Sequence, residues 1–138
     1  MKIYFACAIM GGRGDEAAYQ QLVDALLADG HEVPTAMNAG PGWQVMENSP
    51  DPTEVYRRDT VWIDQSQVMV AEVSTPSHGV GYEISYALER GKPVLCLYQR
   101  ERKVSKMLSG NTLPGIQVRA YGDVQEAIEL MRQFLAAQ

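Results

Sequence analysis

The chain has 138 residues, 46% of them hydrophobic, and a formal net charge of −5 with no block of like charges. One globular domain over residues 1–138, with a full core, fits that length and composition, and a disordered chain does not. The acidic balance excludes wrapping of a nucleic-acid polymer, which needs a concentrated basic surface, and no run approaches the roughly 20 apolar residues of a membrane span. The start, Met1-Lys2-Ile3-Tyr4-Phe5, enters a strand pattern without a signal-peptide layout. Cys7 and Cys96 each lie in an apolar run and read as small buried hydrophobes, not a disulfide, which fits a reduced, cytoplasmic compartment. His31 and His78 form no spaced cluster with either cysteine, so no metal site is expected.

Residues 2–8 read as a strand buried on both faces. Met10-Gly11-Gly12-Arg13-Gly14 then breaks the pattern, and Asp15 opens a helix with apolar positions Ala18, Leu22, Val23, Leu26 and Leu27, ending near Gly30. A strand, a glycine-rich turn and a helix let backbone N–H groups approach an anion, although the turn matches neither a P-loop nor Gly-x-Gly-x-x-Gly, and a turn without a ligand is an equal reading. His31 to Thr35 reads as a short second strand with Pro34 stopping it early. Met37 to Asp51, with Gly40-Pro41-Gly42 and Trp43, reads as a loop long enough to serve a binding site.

Pro52 to Gln65 reads as a helix capped by Asp51, with Val55, Val61 and Trp62 as its inward stripe and Asp59 a solvated partner of Arg57 or Arg58. Gln67 to Val73 is the third strand. Ser74 to Gly81 follows as a polar loop that turns through two glycines into a helix, ending near Gly91, with Glu83 in its first turn. Pro93 to Tyr98 is a fourth strand, Val104, Met107 and Leu108 mark a short helix, and Gly115 to Arg119 is a short fifth strand. Asp123 to Ala136 closes the chain as an amphipathic helix. The alternation predicts an α/β, flavodoxin-like or Rossmann-like three-layer fold, with a five-stranded parallel sheet in the order 2-1-3-4-5. That order places the two glycine-containing loops across one crevice at the carboxyl ends of strands 1 and 3. Tyr4, Gly11, Gly12 and Arg13 then share it with Ser77, Gly79, Gly81 and Glu83, and Asp59 approaches from the preceding helix. Two carboxylates, a phenol and an anion-friendly turn suit cleavage of a glycosidic bond. An acidic residue that simply favours a helix N-terminal turn is the competing reading of Glu83.

Tyr4-Phe5-Ala6-Cys7-Ala8-Ile9, Gly11-Gly12-Arg13, Arg58-Asp59, Val70-Ala71-Glu72-Val73, Pro76-Ser77-His78-Gly79-Val80-Gly81-Tyr82-Glu83 and Val94-Leu95-Cys96-Leu97 resemble the nucleoside 2-deoxyribosyltransferase superfamily. Within it the resemblance is greatest to the 2'-deoxynucleoside 5'-monophosphate N-glycosidases. It implies hydrolysis of a deoxynucleotide N-glycosidic bond without a cofactor, Glu83 as the nucleophile, and Tyr4 and Asp59 as its catalytic neighbours. It further implies that Ser77 and the glycine-rich turn hold the 5'-phosphate. Ser105 resembles a serine, and Asn111 an asparagine found in some of the transferases, that reach a neighbouring subunit's site, which implies a homodimer or a higher homo-oligomer; helix-end and turn polarity is the competing reading of both. Ala6, Ala8 and Met10 depart from the glycine, serine and arginine usual in the first loop. Base exchange between deoxynucleosides, turnover of ribonucleotides and nucleotide sensing without catalysis are the alternative functions.

Overall fold

In the computed structural model, which describes residues 1–9, 14–40 and 51–138, a twice-covered parallel sheet organises the chain. Its strands are β1 (Ile3–Ala6), β2 (Val68–Glu72), β3 (Val94–Gln99) and β4 (Ile116–Tyr121), hydrogen-bonded in the order β1-β2-β3-β4. The helices are α1 (Glu16–Ala28), α2 (Ala36–Ala39), α3 (Pro52–Gln65), α4 (His78–Glu89), α5 (Lys106–Ser109) and α6 (Val124–Ala136).

Successive strand residues point to opposite faces, and that alternation divides the core in two. Ile3, Phe5, Val68, Val70, Leu95 and Leu97 pack with Tyr19, Leu22 and Leu26 of α1 and with Met131 and Phe134 of α6. Tyr4, Ala6, Met69, Ala71 and Cys96 pack on the other face with Ile63 of α3 and with Val80, Ile84 and Ala87 of α4. Cys7 belongs to the first face and Cys96 to the second, both buried, so the sheet itself stands between the two thiols. Among the described residues no helix is long and apolar enough to cross a membrane.

The five-stranded sheet expected from the sequence is corrected to four strands among the described residues. The segment predicted as strand 2 contributes one parallel bridge, Lys2 to Glu32, beside β1. Ile3 N–H donates to Glu32 O at 2.8 Å and Glu32 N–H to Met1 O at 2.9 Å. Pro34 has no N–H with which to extend that ladder, and Thr35 turns the chain into α2 instead, its hydroxyl donating to Phe5 O at 2.7 Å. Residues 36–39, expected to open a long loop, thus form one helical turn; Trp43 and the rest of 41–50 lie outside the described residues.

The α3 stripe is also corrected. Val61 is exposed and Trp62 half-buried, while Thr60 and Ile63 are the buried positions. Asp51 caps this helix by accepting from Thr53 N–H at 2.9 Å, with Pro52 in the first turn, and these fix its start as expected. The face presented to the sheet then carries Val55, Asp59 and Ile63, one turn apart from each other. Asp59 is consequently directed toward β1.

Candidate active site

Glu83 and Asp59, the two carboxylates singled out in the sequence, sit on helices that cover the same sheet face as Tyr4. Ser77 caps α4, its Oγ accepting from Val80 N–H at 3.4 Å and its carbonyl from Gly81 N–H at 3.1 Å. Because the cap is Ser77, the helix begins at His78 and Glu83 falls in its second turn, not the first; no acidic residue occupies the first turn. The reading of Glu83 as a carboxylate drawn to the first turn by the helix dipole therefore lapses, since that effect fades beyond one turn. Ile84 and Val80 bury the inner side of α4, which directs Glu83 to the mouth of the cleft above β1.

There Tyr4 O–H donates to Glu83 Oε1 at 2.8 Å. Burial drives the Glu83 carboxyl from an ordinary value near 4.5 up to about 7; the Tyr4 hydrogen bond opposes this, the Asp59 charge adds to it and Arg58 partly offsets it. The Tyr4 phenol is raised well above its usual value, first by burial and then by the charges of Glu83 and Asp59, so it remains a proton donor. Arg58 Nε meets Asp59 Oδ1 at 2.7 Å, with side chains only 25% and 17% exposed. Asp59 is thus a partly buried, oriented carboxylate and not the solvated helix residue expected from sequence. Arg58 also lies 5.0 Å from the Trp62 ring centroid, a cation–π contact that helps hold the guanidinium in place.

These groups line a cleft of about 560 Å³, within the usual range for small-molecule sites. Tyr4, Asp59, Ser77, Gly79 and Glu83 are on its wall, joined by Asn38, Val55 and His78, which sequence reasoning did not assign. Asn38 went unassigned because α2 itself was unexpected; His78 was legible only as the variable position inside the Pro-Ser-x-Gly segment. Gly81 forms the first turn of α4 outside that wall. Ser105, exposed, caps α5 by accepting from Met107 N–H at 3.2 Å, and Asn111 Oδ1 accepts from Leu113 N–H at 2.9 Å. Neither of these two belongs to the cleft of its own chain. Gly11, Gly12 and Arg13 of the first turn, and Met10 before them, lie outside the described residues.

In one cleft a half-buried carboxylate is hydrogen-bonded to a phenol and feels the charge of a second carboxylate, and the capped N-terminus of α4 lines the same wall. The fold and this arrangement define an α/β protein whose ligand site lies at the carboxyl ends of parallel strands. Residues 3–131 match the model of the nucleoside 2-deoxyribosyltransferase family. A Thermofilum pendens protein, provisionally named 2'-deoxynucleoside 5'-phosphate N-hydrolase 1, is 43% identical over 137 residues, covering 98% of this chain and 95% of its own. The 5-hydroxymethyl-dUMP N-hydrolase of Mus musculus is 35% identical over 141 residues, covering 94% of this chain and 76% of that protein. Among solved structures, Clostridium botulinum CMP N-glycosidase superposes with a TM-score of 0.75 at 18% identity, over 97% of this chain and 99% of that one, a likeness of fold. The chain belongs to the nucleoside 2-deoxyribosyltransferase family.

The raised Glu83 carboxyl makes a prediction about stability. Between its ordinary value and about 7 the folded protein holds a proton that the unfolded chain has released, so this group's contribution to stability falls as pH rises through that window. Glu83→Gln removes the charge and keeps the shape. Its gain in unfolding free energy over the parent is expected to be near zero at pH 4 and on the order of 2 kcal/mol at pH 8, after allowance for water in the cleft. Urea denaturation at the two pH values measures it, and an equal gain at both contradicts the burial of Glu83.

Proposed function

We propose that the protein hydrolyses the N-glycosidic bond of 2'-deoxynucleoside 5'-monophosphates, releasing the free nucleobase and 2-deoxyribose 5-phosphate. The observation that carries this reading is the Tyr4–Glu83 pair facing Asp59 within one cleft, in a chain whose relatives are named as hydrolases of such nucleotides. Ionised Glu83 attacks the anomeric carbon as the bond to the base breaks, and the electron pair leaves with the base nitrogen. Tyr4 orients the attacking oxygen through its hydrogen bond. Asp59, held by Arg58, accepts the sugar hydroxyl and favours the positive charge that develops on the ring. The base leaves as its anion; water then attacks the same carbon and frees Glu83, its oxygen staying on the sugar as a hydroxyl and its second proton neutralising the released base.

The phosphate end is assigned to Ser77 and the start of α4. The first N–H groups of a helix precede its intrahelical bonds and favour an anion. Among the described residues, a Cβ on Gly79 would meet only Ser77 Oγ, 3.9 Å away, which leaves room for an oxyanion beside this backbone. Gly11, Gly12 and Arg13 belong to the same proposal from sequence. Ser105 and Asn111 act in a neighbouring subunit's cleft, a role suited to their position outside their own. Met107 and Leu113 beside them are 82% and 58% exposed, large apolar side chains that a second copy would cover.

Three measurements test these assignments. Incubation with dGMP is expected to release guanine and 2-deoxyribose 5-phosphate, with Glu83→Ala slower by roughly a thousandfold or more. For the parent, kcat/KM rises roughly tenfold per pH unit below about 7 and then flattens, as the nucleophile must be ionised. Tyr4→Phe, which loses a bond favouring the anion, moves that limb to higher pH; Asp59→Asn, which loses a repelling charge, moves it lower. Shifts in the same direction contradict the arrangement. If only deoxyguanosine with free adenine reacts, giving a new nucleoside, the protein exchanges bases instead. Sedimentation is expected to read at least a dimer, and a monomer with full activity removes Ser105 and Asn111 from the site.

A further inference from the structure

Glu72 ends β2 with no exposed surface and takes no part in the chemistry above. It lies on the sheet face opposite Tyr4, since Val68 and Val70 of the same parity face α1 and α6. Burying a carboxylate costs several kcal/mol unless donors surround it, and here three do. Ser74 Oγ donates to Glu72 Oε1, Ser74 N–H donates to Oε2 at 3.2 Å and Tyr121 O–H donates to Oε1 at 2.9 Å. Two of these donors belong to one residue of the β2–α4 loop. The same Ser74 Oγ accepts from Gln99 N–H at 2.8 Å, which ties the loop to the end of β3.

The next loop residue is held in a parallel way. Thr75 Oγ1 donates to Oδ2 of buried Asp15 at 3.0 Å, and Asp15 Oδ1 accepts from Gln99 Nε2 at 2.8 Å, with Arg102 at 3.6 Å. Two consecutive loop hydroxyls are therefore each fastened to a buried carboxylate, and Gln99 links the two fastenings. Pro76 follows, with φ fixed by its ring, and then Ser77 and His78 on the cleft wall. The direction in which the chain enters the cleft is set at Ser74 and Thr75, where a small rotation would displace Ser77 and the first N–H groups of α4.

We propose that Glu72 is a positioning residue for the phosphate end of the cleft, acting through Ser74 to set the path of the β2–α4 loop. This rests on the reading of Ser77 and the start of α4 as the phosphate site. Tyr121 touches the same carboxylate from β4, and its hydroxyl also meets Ser74 and Gln99, so it belongs to the same cluster.

The test compares dGMP with deoxyguanosine as substrates for the full chain. Glu72→Gln turns one acceptor oxygen into a donor at nearly constant volume. It is expected to raise KM for dGMP about tenfold, the usual scale for misplacing a charge-assisted contact, with kcat within about twofold. Its kcat/KM on deoxyguanosine should stay near that of the parent. Ser74→Ala reproduces the effect and carries the test where Glu72→Gln does not fold. Equal losses on the two substrates overturn the proposal. An unchanged KM in both Glu72→Gln and Ser74→Ala, in a parent that prefers dGMP, overturns it alone. A parent that turns over both substrates equally overturns the phosphate site and this proposal together.

Discussion

The hydrogen bond from Tyr4 to Glu83 is the contact on which the site depends. A carboxylate removed from water is driven toward its neutral form, which makes a poor nucleophile, and Asp59 opposite adds to that pressure. The phenol restores part of the anion's stability and fixes one oxygen while leaving the other to react. Burial thus leaves the Glu83 carboxyl balanced near neutral pH, ionised often enough and weakly solvated enough for the attack proposed for it. Arg58 takes part on both sides of this balance, pairing with Asp59 and favouring the anionic form of Glu83.

The fold delivers that contact by parity. Tyr4 meets Glu83 because even-numbered residues of β1 face α3 and α4, and because a cap at Ser77 begins α4 early enough to bring Glu83 round in the second turn. In β2 the alternation is offset by one residue, so Glu72 goes to the far face, where a carboxylate of identical chemistry is enclosed by donors from the β2–α4 loop and β4. The two glutamates differ in their surroundings more than in their chemistry. Among the described residues, one opens onto a cleft with a single phenol donor and the other has three donors and no exposed surface.

Much of this was legible in the sequence where a single local pattern sufficed. Apolar runs marked β1 to β4, and caps such as Asp51 and Asp123 marked where α3 and α6 begin. The Pro-Ser-x-Gly-Val-Gly-Tyr-Glu segment pointed to the loop and to Glu83. What was not legible depends on distant partners or on short segments. Glu32 and Val33 have the composition of a strand, but Pro34 and the turn at Thr35 leave a single bridge. Val61 looks like a core residue, yet the helix rotates Ile63 inward, a difference of two positions that periodicity does not resolve in a helix with polar residues at 59 and 60. Nothing near Glu72 in sequence announces Tyr121, which arrives 49 residues later, and Asn38 reaches the cleft from a helical turn set in a stretch that reads as loop.

The central claim is that Glu83 carries the sugar covalently. A deoxynucleoside 5'-monophosphate with fluorine at the sugar's 2-position slows breakdown of such an intermediate, because the substituent disfavours positive charge at the neighbouring carbon. Protein quenched during turnover of that analogue, digested and weighed by mass spectrometry, is predicted to show the fluorinated deoxyribose phosphate on the peptide containing Glu83. Base release with the adduct on another peptide, or with no adduct at any time point, would contradict the account.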